Sequence, residues 1–183
     1  MKELKDVMSS VKACEGSNKE VSFDAATSRV AALIMAAKRK KKKVIIVGNG
    51  GSSSIANHIA TDVLKNCKIP ALSFSDSSLI TCLSNDLGYE CVFSKPIELL
   101  AQKGDILLAI SSSGKSKNIL NAVSMAKRKG CFVVTLSGFS LGNPLRKKGS
   151  FNFYVPSHSY GHVEISHLAI CHNIVDKIFA GNY

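Results

Sequence analysis

An α/β fold is expected from three features of the sequence. From residue 44 onward, short apolar runs alternate with longer amphipathic stretches, the runs are continuously apolar, and the turns between them are rich in Ser and Gly. A strand apolar at every position has to be covered on both faces, as in a parallel sheet held between two helix layers. Five strands are expected: "VIIV" at 44–47, "ALSF" at 71–74, "DILLAI" at 105–110, "CFVVTL" at 131–136 and "FNFYV" at 151–155. The expected architecture is therefore a three-layer α/β fold whose five-stranded parallel sheet is flanked by helices.

Helical periodicity is clear at 52–66, 93–102, 117–129 and 161–179, with Gly130 placed as the C-terminal cap of the third segment. The first 42 residues read as helical throughout. Val30, Leu33, Ile34 and Ala37 recur at i, i+3, i+4 and i+7, and no Pro-, Gly- or Ser-rich linker follows them. We expect one domain over 1–183, made of an N-terminal helical arm (1–42) and an α/β core (43–183). The arm has more apolar surface than one small sheet can cover, so it is expected to pack on another subunit.

With 183 residues and 45% apolar content, the chain has enough material for one core without disulfides. The apolar run "AALIMAA" at 31–37 is too short to span a bilayer, and "MKELKDVMSS" lacks the apolar stretch of a secretory leader. A cytoplasmic protein with no membrane partner is expected. The six cysteines have no metal-type spacing and read as reduced, mostly buried thiols. The net charge of +11 is concentrated in "KRKKKK" (38–43), "KRK" (127–129) and "RKK" (146–148). These runs sit at helix ends, where cations favour the macrodipole, and no aromatic residue is interleaved for base stacking, so nucleic acid is not the expected partner.

Two Gly/Ser turns attract attention. A dinucleotide fingerprint fits Gly48 and Gly50 but meets Ser53 where a third glycine is needed; a Walker A loop fits Gly114, Lys115 and Ser116 but meets Ala109 at its first glycine. What remains is "GGSSS" (50–54) and "SSSGKS" (111–116), each following a strand and opening a helix at the carboxyl end of the sheet. Backbone N–H groups and small hydroxyls there suit a phosphate dianion. Simple helix capping by serine is the competing explanation.

His58 and Asp62 are four residues apart on the helix that leaves the first turn, so they share one face. The last helix carries Glu164, His167 and His172. Glu164 and His172 are separated by about 12 Å of helix axis and two turns plus about 80°, so they bracket an ion only by reaching toward each other. Imidazole and carboxylate together suit zinc, provided the two helices meet. Singly, such residues are more often a surface pair or a satisfied core histidine.

"GNGGSSSIANHIATD", "SNDLGYECVF", "GDILLAISSSGKSKNIL" and "VPSHSYGHVEISHLAICH" together resemble the sugar isomerase (SIS) domain and, within it, the phosphoheptose isomerases. The resemblance runs from about residue 44 to 177. It implies the SIS fold, a homotetramer with active sites between subunits, and one zinc ion per site. The implied reaction converts sedoheptulose 7-phosphate to D-glycero-D-manno-heptose 7-phosphate for bacterial surface polysaccharide, lipopolysaccharide or capsule. The family's phosphate positions fall on Ser53, Ser111, Ser112, Ser113 and Ser116, with Gly50 and Ser52 in the same turn, and its sugar contacts on Asn49 and Asp86. Its metal positions fall on His58, Asp62, Glu164 and His172, of which Asp62, His172 and Glu164 are the candidate catalytic groups.

Isomerisation through an enediol needs one group for the carbon-bound proton and another for the oxygens, and Asp62 with His172 are the candidates. The chain departs from the family pattern at four places: Asp62 stands for Glu, Glu164 for Gln, Gly161 for Asp and Asn66 for Arg. Alternative readings are an isomerase for a different phosphosugar and a non-catalytic SIS protein that binds a replication initiator. Retention of four polar groups at the metal and base positions argues for chemistry.

Overall fold

The computed structural model describes residues 3–17 and 19–183, and Met1, Lys2 and Asn18 lie outside the described residues. The chain runs α1 (Leu4–Ser9), β1 (Lys12–Glu15), β2 (Lys19–Val21), α2 (Phe23–Arg39), β3 (Val44–Val47), α3 (Gly51–Lys65), β4 (Ala71–Ser73) and α4 (Ser77–Leu87). It continues with α5 (Ser94–Leu100), β5 (Ile106–Ser111), α6 (Lys117–Arg128), β6 (Phe132–Ser137), β7 (Phe151–Tyr154) and α7 (Tyr160–Ala180). The five expected strands and four expected helices are present with ends shifted by a residue or two.

The sheet differs from the expectation at one edge. It has seven strands in the order β2-β1-β7-β6-β5-β3-β4. Five are parallel, while β1 pairs antiparallel with both β7 and β2. The N-terminal arm is therefore not wholly helical: β1 and β2 pair antiparallel and extend the sheet. Its strands are short and bury only Ala13, so they lack the apolar runs by which the core strands are recognisable. Helix α4, also unforeseen, begins with a cap in which Leu79 N–H donates to Asp76 Oδ1 at 2.9 Å, and it buries no residue completely.

Alternate residues of each core strand serve opposite layers. Val44, Ile46, Ile106, Leu108, Val134 and Phe153 face the layer of α2, α3 and α7. Ile45, Val47, Leu107, Ala109 and Val133 face α5 and α6. This explains runs that are apolar at every residue. The buried Asp105 ties the strand starts together: its carboxylate accepts from the Lys43 backbone N–H (3.0 Å), Lys43 Nζ (2.7 Å) and the Gln102 N–H (2.8 Å). Of the cysteines, Cys67 and Cys171 are buried, Cys82 is exposed and the rest are half-buried. No helix among the described residues is long and apolar enough to cross a membrane.

The order of the parallel strands is that of a doubly wound sheet, and it changes direction between β3 and β5. The helices after these strands, α3 and α6, lie on opposite faces. A crevice opens at the carboxyl ends of such a pair, where doubly wound folds take their ligands. Both serine turns border it.

His167 is completely buried on α7, and neither ring nitrogen has a hydrogen-bond partner of good geometry. Burial pushes its pKa down to about 4, against a weaker opposing pull from the Ser137 backbone. The folded state thus favours neutral imidazole, whereas the unfolded chain titrates near 6.5. Stability contributed by the neutral ring is complete above pH 6.5 and falls as the pH drops toward 4, by about 3 kcal/mol in total. Urea unfolding at a series of pH values is expected to show this loss, and His167→Leu is expected to remove it; an unchanged slope in the variant contradicts the assignment.

Candidate active site at the carboxyl edge of the sheet

The first turn is set by a close approach. A Cβ on Gly48 would lie 2.4 Å from the Ser52 carbonyl oxygen, so only glycine lets α3 start this near the strand. Gly50, at φ 54, caps α3 without a side-chain hydrogen bond, and Ser116 caps α6 likewise. Serine capping thus does not explain either turn. Instead Ser111 Oγ and Ser116 Oγ lie 3.3 Å apart, and Ser111 Oγ accepts from the Gly114 N–H at 3.2 Å.

These turns enclose a cavity of about 330 Å³ lined by Asn49, Gly50, Gly51, Ser52, Ile110, Ser111, Ser112, Ser113, Ser116, Tyr160 and Glu164. Backbone N–H groups at the starts of two helices border it, a setting that favours an anion. Of the expected phosphate residues, Ser52, Ser111, Ser112, Ser113 and Ser116 line the cavity; Ser53, one position on, does not.

Asn49 is held by an amide pair. Its Nδ2 donates to Asn118 Oδ1 at 3.0 Å, while its Oδ1 accepts from Asn118 Nδ2 at 2.8 Å and from the Tyr89 hydroxyl at 3.0 Å. Asn118, Tyr89 and Tyr160 carry no sequence signal of this role: Asn118 sits in an ordinary helical pattern, and Tyr89 and Tyr160 lie outside the expected helices. Asp86 is exposed on α4, accepts from Asn85 Nδ2 at 2.9 Å, and is not among the residues lining the cavity.

Packing of α3 beside α7 brings the metal-type side chains together. His58, Asp62 and His172 offer ligand atoms that all lie within 4.8 Å of one another. His58 Nε2 is 3.2 Å from His172 Nε2 and 3.4 Å from Asp62 Oδ2, and His172 Nδ1 is 3.7 Å from the same oxygen. Two imidazoles and one carboxylate fit a zinc-type ion and leave a coordination position for a substrate oxygen. Asn66 Nδ2 donates to Asp62 Oδ1 at 3.4 Å and so restrains the carboxylate from the next turn of α3.

Glu164 stands apart from this cluster. Its carboxylate lies against Gly51 at the start of α3, where a Cβ would come within 2.5 Å of it. Two turns of helix separate it from His172, and it reaches toward the cavity and the positive end of α3. Among the described residues the structure thus brings three of the four expected metal ligands together and puts the fourth in the serine-lined cavity.

The family model for the SIS domain matches residues 17–138. The phosphoheptose isomerase of Cytophaga hutchinsonii is 45% identical over 108 residues, covering 58% of this chain and 56% of that protein. The chain spans little more than half the length of the curated relatives it matches. Among solved structures, the phosphoheptose isomerase of Neisseria gonorrhoeae superposes with a TM-score of 0.77 at 30% identity, over 84% of this chain and 86% of that one. That of Francisella tularensis gives 0.78 at 30% identity, over 85% and 86%.

Gly48→Ala is expected to lower stability by about 2 kcal/mol, since backbone rather than a flexible side chain has to move. Gly51→Ala, which meets only the end of Glu164, is expected to stay within about 0.5 kcal/mol of the parent protein. Chemical denaturation of both variants checks the contrast.

Proposed function

Because the chain belongs to the SIS domain family and has phosphoheptose isomerases as relatives, we propose that it is an aldose–ketose isomerase for a seven-carbon sugar phosphate. The substrate is sedoheptulose 7-phosphate, the product D-glycero-D-manno-heptose 7-phosphate, and the setting the cytoplasmic synthesis of a surface polysaccharide precursor. The observation that carries this reading is the placement of a three-donor cluster and a serine-lined anion pocket on the same helix, α3. The working form is a homotetramer with sites at subunit interfaces.

The phosphate is held by the hydroxyls of Ser52, Ser111, Ser113 and Ser116 and by N–H groups of the two turns, with no side-chain cation required. Asn49, fixed by Asn118 and Tyr89, orients the sugar. Asp62 and His172, whose Oδ2 and Nδ1 lie 3.7 Å apart, face the reacting carbons from the same side: one takes the carbon-bound proton and the other serves the oxygens, giving the enediol and then its tautomer. His58, Asp62 and His172 would hold zinc, which supplies Lewis acidity toward the carbonyl and hydroxyl oxygens. Asp62 is one methylene shorter than the family's Glu. The restraint from Asn66 matters accordingly, because a misplacement of about 1 Å costs on the order of a hundredfold in rate.

One observation supports a second reading, an isomerase for another phosphosugar. The Glu164 carboxylate lines the cavity, where it would accept hydrogen bonds from sugar hydroxyls in an arrangement different from that of the amide at this position in the family pattern. Turnover of sedoheptulose 7-phosphate, with and without chelator, tests the first reading. We expect activity that chelation abolishes and that Asp62→Asn lowers at least about a hundredfold. Metal content of one ion per chain without turnover, followed by activity on another sugar phosphate, moves the assignment to the second reading.

A further inference from the structure

The net charge of +11 is concentrated at one end of the molecule. Four loops, residues 38–43, 65–70, 101–105 and 127–131, feed β3, β4, β5 and β6 at the end of the sheet opposite the serine-lined cavity. They hold twelve of the 24 Lys and Arg residues and one, Asp105, of the 13 Asp and Glu residues; the other twelve cations and twelve carboxylates cancel, so these loops account for the whole +11. Asp105 is buried and already paired with Lys43.

The loops are joined to one another. Lys38 Nζ donates to the Cys67 carbonyl at 2.7 Å, Lys42 Nζ to Gln102 Oε1 at 3.3 Å, and the Gly104 N–H to the Gly130 carbonyl at 3.0 Å. The charges therefore project from one braced surface rather than from independent tails.

Two of these lysines also occupy awkward backbone. Lys41 and Lys68 both have φ 55, in the left-handed region just past α2 and α3, where α6 uses Gly130 at φ 75. A Cβ is disfavoured there and glycine is the low-energy choice. The macrodipole accounts for lysine within a last helical turn, not for lysine at the left-handed position itself.

We infer that this face binds the phosphate backbone of a duplex nucleic acid without regard to base sequence. The loops carry no aromatic residue for stacking and no helix that enters a groove, so contact is made by cations on phosphates and affinity comes from released counterions. An anionic bilayer would call for apolar insertion as well, and Cys67 and Ile69 of these loops are buried. The inference is independent of the isomerase reading, since the face lies at the other end of the sheet.

Fluorescence anisotropy with two unrelated 30-base-pair DNA duplexes, over a range of NaCl concentrations, tests it on the full chain. Both duplexes are expected to bind with equal, micromolar or tighter affinity at 50 mM NaCl, with a steep inverse dependence on salt. Lys41→Gly with Lys68→Gly is expected to keep or raise Tm, to weaken binding at least fivefold, and to make the log–log salt slope shallower by about 2, near 0.9 per lost phosphate contact. The charge-matched pair Lys5→Gln with Lys12→Gln, away from this face, is expected to stay within twofold. Absence of duplex binding at 50 mM NaCl overturns the inference, as does equal weakening in both double variants. Binding to phosphatidylglycerol-containing vesicles without binding to duplex overturns it in favour of a membrane.

Discussion

The candidate site depends on the packing of α3 against α7 on one face of the sheet. Neither helix carries a metal-type cluster alone. His58 and Asp62 make an ordinary i, i+4 pair, and His172 becomes significant only because its Nε2 lies 3.2 Å from that of His58. The position of α3 follows from Gly48, which allows the helix to begin almost on the strand. The position of α7 follows from a sequence of contacts: Val163 closes on Gly138, His167 is buried near Ser137, and Lys177 Nζ bonds Asp24 at 2.7 Å and Ser28 at 3.1 Å on α2.

That packing also divides the site by chemistry. At its start α3 presents N–H groups and serines suited to an anion; further along, it presents imidazole and carboxylate suited to a cation. The proposed phosphosugar substrate would span this pair of environments, with its phosphate at one and its reacting carbons at the other. Glu164 fits this division less simply, because a carboxylate against the start of α3 occupies ground favourable to a bound anion.

Much of this was legible in the sequence, and what was not has physical reasons. The core strands announced themselves because both faces are buried and every residue is apolar, and the serine turns because they sit where strands end. The pairing of β1 with β2 was not legible: Lys12, Lys19 and Glu20 point to solvent and carry no periodic apolar signal. Helical spacing placed His58 with Asp62 correctly on one face but left Glu164 open, since two turns of separation allow either convergence or divergence. The amide pair of Asn49 and Asn118 joins residues 69 positions apart, a relation that no local pattern encodes.

Zinc K-edge X-ray absorption on the protein loaded with one equivalent of zinc tests the convergence of α3 and α7 most directly. Two imidazoles and at least one carboxylate oxygen are expected around the zinc, with one imidazole contribution lost in His58→Ala and one in His172→Ala. A shell without histidine, or one unaltered by either substitution, would contradict that convergence.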